Sequence, residues 1–488
     1  MLARTLQLLG PAQRTAPPDG ELGWLCVASA FSTYALCVGV QYCTGIFLSA
    51  LLLDADIVQG AGRAEVTWCA SLMSSMFLFG SLPAGLLLPR VGARAVMCLG
   101  CALFVGGCLL AATATSLATV RAGFFLLGLG CSLPSSVVLT EVQRWFSRLR
   151  GTSSGLVVAG SGVGSVVLSP LVQAQIDAGG WRQGLRFLAA LAVALLPLCA
   201  AATVPIALPT DAGGGEAAAL AAARREEAAA EAAALQEWGG TGYAAAEATA
   251  APAEPPPPEP ERRHTLFTLL RHQQLMCLCA YVALYGGAWF VLINNLNNSV
   301  RESGTSADAA ALMVSGQGAA NTVGRLLMGF AADHLAKRGV SKLMLLQASV
   351  GVNGVATALL AFPALLGAQP YQAFYYLVNG GFGGSIVSLQ APIVVDLVGI
   401  NSLPPAFGLL HAVQAPLVLV MPPAYGALRA AAGWPTVWAL VGAQILVAIS
   451  CVGLMQGPVK GGGPFTVGKV LGACCCGRRG ASTANEPL

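Results

Sequence analysis

The sequence predicts an all-α polytopic membrane protein with twelve transmembrane helices in two six-helix pseudo-repeats. Three observations predict it. First, 56% of the 488 residues are hydrophobic and only 10% are charged, with a mean hydropathy of +0.69. Soluble domains carry roughly 25% charged residues, so lipid must be the solvent for most of this chain. Second, apolar runs near the ~20 residues that a bilayer core requires recur twelve times. Third, one polar insert separates the first six runs from the last six. This composition excludes an ordinary soluble enzyme, a nucleic-acid binder and a secreted disulfide scaffold.

The first six runs lie at about 22–52, 65–89, 94–114, 118–142, 151–176 and 183–208. The second six lie at about 272–296, 306–332, 341–367, 370–396, 404–428 and 434–457. The expected organisation is an N-tail over 1–21, a bundle over 22–208, a linker over 209–264, a second bundle over 265–458 and a C-tail over 459–488. The linker opens with GEAAALAAARREEAAAEAAALQEW, whose Ala, Glu and Arg suit a solvated helix. It closes on PPPPEPE, an extended polyproline-like tether.

Orientation follows from the Lys and Arg residues near the span ends. With both tails inside, nineteen of the 26 basic residues fall on the inner side and six on the outer, and Arg325 remains within a span. Both termini are therefore expected in the cytoplasm, and the plasma membrane is the expected residence. The 59 glycines suit helices that pack closely in lipid. Most of the 15 cysteines sit inside apolar runs as small hydrophobes. Cys474, Cys475 and Cys476, just before Arg478 and Arg479, form a candidate palmitoylation cluster. No phosphate-binding loop, metal-ligand spacing or nucleophile–base pattern is present, so neither an enzyme nor a bound cofactor or metal is expected.

Several motifs carry a resemblance. After the second span comes GLLLPRVGAR, with Gly85, Arg90, Gly92 and Arg94; after the eighth comes GFAADHLAKR, with Gly329, Asp333 and Arg338. The first span opens with DGELGW and the second with EVTW. RWFSRLRGTSSGLVVAGSGVG joins Arg148 and Arg150 to a glycine-rich fifth span containing Gly160 and Gly164. DLVGINSLPPAFGLLHAVQAPLVLVMPPAYG covers the loop before span 11 and that span itself. In this order, on a chain of six plus six spans, the motifs resemble the monocarboxylate transporter family of the major facilitator superfamily. The resemblance covers about 22–208 and 265–457. It implies alternating access around a central site, with the two GxxxD-type loops as gating elements. An acid is usual four residues after the glycine; Asp333 supplies it in the second copy, where Asp333 and Arg338 are expected to latch neighbouring helices, whereas Pro89 replaces it in the first.

Arg325 is the principal candidate site residue. An ionisable side chain in mid-membrane costs at least ~2.5–3.5 kcal/mol on insertion scales. Two readings compete: the side chain snorkels to the inner interface, or it is a fixed cation in a central cavity, where its planar fork suits a carboxylate. In the resembling family an Arg in this stretch is the substrate-anion partner. Proton-coupled members place an Asp one turn earlier and a Lys in span 1; here those positions hold Asn321 and Tyr42, beside Gln41. Neither supplies the missing acid or cation, so the expectation is either facilitated diffusion or exchange, or a less acidic substrate. Further candidate cavity residues are Asn294, Gln317, Asn379 and His411. His411 is the only histidine deep in a span and the substitute candidate for coupling.

The functional expectation is a secondary active or facilitative transporter of a small organic anion, a monocarboxylate above all. A transporter of an amino acid, aromatic or neutral solute, and a non-transporting receptor on the same fold, are the alternatives. Expected partners are a small-molecule solute, a coupling ion and the bilayer, with room for an accessory single-span protein and no nucleic acid.

Overall fold

The computed structural model describes residues 20–58, 63–204 and 265–455. The expected N-tail up to residue 19, the whole 209–264 linker, the C-tail and the Cys474–Cys476 cluster lie outside them. The described residues are helical throughout, without strands. Nine apolar stretches among them are long enough to cross a membrane. Two of these, Arg150–Ala202 and Ile400–Leu454, exceed 50 residues. At 1.5 Å per residue each would reach nearly 80 Å, far beyond a ~30 Å core, so each must contain a reversal. The backbone leaves helical geometry at Gly179–Gly180 in the first and at Gly433 in the second. Gly180 has φ +77° and Gly433 φ +78°, a region open to glycine but strained for other residues. The twelfth helix, Ala307–Ala336, is less apolar because it carries Asp308, Arg325 and Asp333.

The spans are α1 (Glu21–Leu51), α2 (Glu65–Val91), α3 (Ala93–Ala112), α4 (Leu117–Trp145), α5 (150–178) and α6 (181–202). They continue as α7 (Gln273–Glu302), α8 (Ala307–Ala336), α9 (Lys342–Leu359), α10 (Gln369–Val398), α11 (403–432) and α12 (434–454). Most helix ends fall within a few residues of the apolar runs. The largest differences are in α9, which stops at Leu359 before the short helix Pro363–Leu366, in α6, which ends at Ala202, and in α7, which runs on to Glu302.

Packing repeats with a shift of six helices. Gly160 and Gly164 of α5 sit against Phe31 and Ala35 of α1, and Gly286 of α7 sits against Gln414 of α11. Gly107 and Gly130 pair α3 with α4. Cys101 of α3 meets the Ala192 carbonyl of α6, as Gly354 and Ala358 of α9 meet α12. Gly128 brings α4 to α2, as Gly324 and Gly380 bring α8 and α10 together. The two halves join through α2–α11 and α5–α8, again equivalent under the same shift. Small residues at these crossings let backbones approach, the main route to helix association in lipid.

A second repeat appears at the ends of α1 and α7. Asp54 Oδ2, beyond α1, accepts from Trp181 Nε1 at 2.9 Å and Arg182 Nη1 at 2.8 Å. Glu302, ending α7, accepts from Trp434 Nε1 at 2.6 Å and pairs with Arg429. Both tryptophans directly follow a left-handed glycine, so the reversal that separates the spans also delivers the indole to the acid. Burial opposes the Asp54 charge, but bonds from Trp181, Arg182 and the Ile57 amide, with the Arg182 charge, outweigh it and hold the carboxyl below its ordinary 3.8. A carboxylate depressed in the folded state stabilises fully above its unfolded value and loses that contribution as pH falls through the folded one. Detergent-solubilised protein is therefore expected to lose stability as pH falls below about 4. Asp54→Asn should remove that acid-sensitive component, worth about 1 kcal/mol or less for a surface pair. Melting curves taken across pH 3 to 7 check this, and identical pH slopes for the two proteins would refute it.

Candidate functional site

Arg325 does not snorkel. Its side chain is 4% exposed and lies where α5, α8 and α10 converge. Nη1 donates to the Val158 carbonyl at 2.6 Å and to Ser161 Oγ; Nε donates to the Gly384 carbonyl at 3.2 Å. Two acceptors come from the first half of the chain and one from the second, so the guanidinium bridges the halves. Among the described residues no carboxylate lies within ion-pair reach of it. The three bonds engage Nε and Nη1 and leave the Nη2 donors outside them. Neutral acceptors solvate the cation without cancelling its charge, which costs several kcal/mol in a low-dielectric interior and is tolerable only when hydrogen-bonded.

The local sequence explains the convergence. Gly155 and Gly162 lie against the Arg325 carbonyl and the Thr322 hydroxyl, which allows α5 to press on α8. On the far side, α10 passes through a π-helical turn at Asn379–Gly383. Such turns shift the hydrogen-bond ladder by one residue and recur at functional sites. The NGGFGG sequence lets α10 approach α8, and the Gly384 carbonyl follows immediately at Arg325. Ser388 of α10 donates to the Arg325 carbonyl at 3.2 Å.

The other candidate residues divide into groups. Gln317 and Asn321 precede Arg325 by two turns and one turn of α8. Asn321 is buried against Gly384, and Gln317 is half-buried. Gln41 and Tyr42 do not join Arg325: α1 brings Tyr34 into its electrostatic range instead. Tyr42 lies eight residues further along, about 12 Å by helical rise. Asn379 belongs to a separate polar cluster inside the second half. Its amide donates to Tyr375 Oη at 3.1 Å, Tyr375 meets Thr357, and Asn353 donates to Tyr285 Oη at 3.1 Å. The amide oxygens of Asn353 and Asn379 are buried with no hydrogen-bond partner. Asn294 is exposed on α7. On α11, His411 Nδ1 faces the Phe407 carbonyl at 3.1 Å and the ring packs edge-on against Phe407.

At the basic end the halves meet again. Asp333 of α8 accepts from the Gly151 and Thr152 amides and from the Thr152 hydroxyl, at 2.8, 2.7 and 2.8 Å. The carboxylate thus caps the N-terminus of α5 from the opposite half, where free N–H groups and the helix dipole favour an anion. Asp333 thus engages the neighbouring helix α5, while Arg338 is exposed. Gly151 and Gly329 meet backbone to backbone beside it. On the other crossing, Gly85 lies against the Pro404 carbonyl, with Pro89 and Arg90 exposed. Gly92 turns the chain into α3 with φ +83°. Arg94 is half-buried, Arg150 Nε donates to the Phe146 carbonyl, and Arg148 is exposed. Away from this end a side chain at Gly45 of α1 or Gly318 of α8 would meet open space. The halves are therefore in close contact at the basic end. Surface clefts of about 640 and 430 Å³ lie at opposite ends of the bundle, and neither includes Arg325.

Sequence reasoning missed Ser161, the Val158 and Gly384 carbonyls, and Tyr34. Ser161 lies within the AGSGVG motif, and its position between the close-approach glycines Gly160 and Gly162 was the available signal. The backbone carbonyls leave no trace in residue type.

Comparison with known proteins gives a consistent result. Residues 30–298, just over half of the chain, match the Major Facilitator Superfamily model. Monocarboxylate transporter 13 of Bos taurus is 27% identical over 442 residues, covering 90% of this chain and 91% of that protein. Human monocarboxylate transporter 12 is 26% identical over 429 residues, covering 87% and 78%. Monocarboxylate transporter 3 of Rattus norvegicus reaches 34%, over 40% of this chain and 39% of its own length. Among solved structures, the human organic anion transporter MFSD10 superimposes with a TM-score of 0.63 at 14% identity, covering 90% of this chain and all of that one. The proton:xylose symporter XylE does so at 0.62 and 14%, covering 88% and 94%. At that identity these two matches speak for the fold alone.

Proposed function

We propose, because the chain belongs to the Major Facilitator Superfamily as a monocarboxylate transporter-like member, that it carries a small organic anion across the membrane, with Arg325 as anion partner. One observation carries the reading: a guanidinium buried among three helices, hydrogen-bonded to neutral acceptors and without a carboxylate partner among the described residues. A substrate carboxylate is the counter-charge such a site lacks, and the relatives' names favour a monocarboxylate.

In this reading the halves, 22–208 and 265–458, rock about the buried arginine. The sealed contacts at Gly85, Gly329 and Asp333 part when the basic end opens, which is the cytoplasmic end by the charge census. TM-spanning glycines Gly160 and Gly164 stay with their own half. Arg148, Arg150, Arg90 and Arg94 flank the moving end. Both tails lie in the cytoplasm and the plasma membrane is the residence.

Transport without proton coupling follows from Asn321, which cannot titrate, and from the tyrosines that α1 supplies in place of a lysine. In proteoliposomes, uptake of radiolabelled lactate or pyruvate is expected to follow the solute gradient and to change less than about twofold when an inward proton gradient is imposed. A steep rise with that gradient would overturn the uncoupled reading. Failure of every monocarboxylate in a panel that includes amino acids and neutral analogues would overturn the substrate class. A second reading, a solute rich in hydrogen-bond donors such as an amino acid, rests on the unpartnered amide oxygens of Asn353 and Asn379.

A further inference from the structure

The larger surface cleft, about 640 Å³, lies between the α4–α5 turn and the end of α8. Its wall carries Arg148 from the first half and His334 and Lys337 from the second. The acid within it, Asp333, has both oxygens engaged at the α5 N-terminus. The cleft therefore presents cations from both halves around a carboxylate already capped by a helix end. Its remaining wall is apolar: Phe330 is 59% exposed, with His334 stacked on its ring at 5.8 Å. Leu326 and Leu327 continue that exposed apolar strip one turn deeper along α8. A soluble anion would use the basic groups and leave this strip idle. A lipid whose headgroup sits among the basic side chains and whose acyl chain follows Phe330 and Leu327 uses both. The volume lies within the 300–1,000 Å³ range of small-ligand pockets, and basic pockets between membrane helices are suited to polyanionic headgroups.

We propose that this cleft binds the phosphomonoester headgroup of an anionic membrane lipid, bridging Arg148 on one half to Lys337 on the other. The site is separate from Arg325, and the proposal does not depend on what the protein transports. A headgroup so placed adds a contact across the halves one turn from Asp333, so its occupancy favours the closed basic end.

The test uses the purified full-length protein in detergent and dioctanoyl phosphatidylinositol 4-phosphate as probe, with native mass spectrometry counting bound lipid. Binding is expected to saturate at one lipid per chain, and dioctanoyl phosphatidylcholine should not compete. Arg148→Gln and Lys337→Gln should each weaken binding about 5-fold and together about 30-fold, at roughly the electrostatic worth of one basic residue each. Lys337→Arg should retain it, which separates loss of charge from loss of fold. Arg271→Gln, a basic residue outside the cleft, should leave binding unchanged. Unchanged binding in the double variant would overturn the site, as would an equal loss in Arg271→Gln. Displacement of the lipid by equimolar inorganic phosphate or soluble inositol phosphate would overturn the lipid assignment, because the ligand would then be a free anion.

Discussion

Arg325→Ala is expected to lower carboxylate uptake by at least 100-fold, while the protein still folds and melts at or above the wild-type temperature. The two halves of that expectation have different origins. A guanidinium–carboxylate pair forms charge-assisted hydrogen bonds worth ~1.5–3 kcal/mol each, and the two Nη2 donors outside the resting bonds can supply two. Losing both removes the recognition of the anion. Folding gains, because the variant no longer buries a cation whose charge no protein group neutralises. The three acceptors left behind fare differently: Ser161 Oγ still reaches the Val158 carbonyl at 2.8 Å, and only the Gly384 carbonyl loses a partner outright. A purely structural arginine predicts the opposite pattern, lower stability with uptake falling only in proportion to folded protein. Arg325→Lys tests the geometry. It keeps the charge but replaces a planar fork with a point donor, so uptake should recover only in part. Proteoliposome uptake alongside detergent melting curves separates the cases, and wild-type uptake by Arg325→Ala would end the anion-partner assignment.

The fold was legible in the sequence because lipid imposes one strong requirement, a sustained apolar run that satisfies its own backbone. The spans could be bounded to a few residues for that reason. The α8 helix shows the weak point. Its polar residues depress its hydropathy, yet the residues that disqualify it as a plain span, Arg325 and Asp333, are the ones with chemistry. The site was legible only in residue type. Arg325 was visible as a lone charge, but its acceptors are two backbone carbonyls and a serine contributed by helices more than 50 residues away. Which carbonyl faces an arginine depends on helix phase, and the π turn at Asn379–Gly383 shifts that phase within α10. The reading of α1 depends on the same kind of geometry. A local match at Tyr42 fixes a position along the helix, whereas depth relative to α8 places Tyr34 near the arginine. The acid–tryptophan repeat at Asp54 and Glu302 was readable in principle, as Gly-Trp pairs 253 residues apart. It went unread because the acids that complete it lie on distant helices.

The asymmetry between the two gating loops yields the second large expected effect. Asp333→Asn should open the basic end, because it removes the charge and one of two acceptor oxygens from the α5 N-terminus. A charged hydrogen-bond set of this kind is worth about 2 kcal/mol, or roughly 30-fold in the equilibrium between sealed and open states. Spin labels on Arg90 and Arg338, exposed at the same end in opposite halves, should gain a longer-distance population in Asp333→Asn. The equivalent position in the first loop is Pro89, and the obvious repair, Pro89→Asp, should do almost nothing. A carboxylate there would address the N-terminus of α11, which begins Leu403-Pro404-Pro405. The Leu403 amide already bonds to the Ile400 carbonyl, and the two prolines have no amide hydrogen to give. The missing acid and the missing donors are thus one feature seen from both sides. The α2–α11 crossing relies on the close approach of Gly85 to the Pro404 backbone in place of a charge. A bulkier side chain at Gly85 should therefore separate the labels as effectively as Asp333→Asn does. If Pro89→Asp instead narrowed the distance distribution, free donors would have to exist at α11, and the division between a charged latch and a packed one would fail.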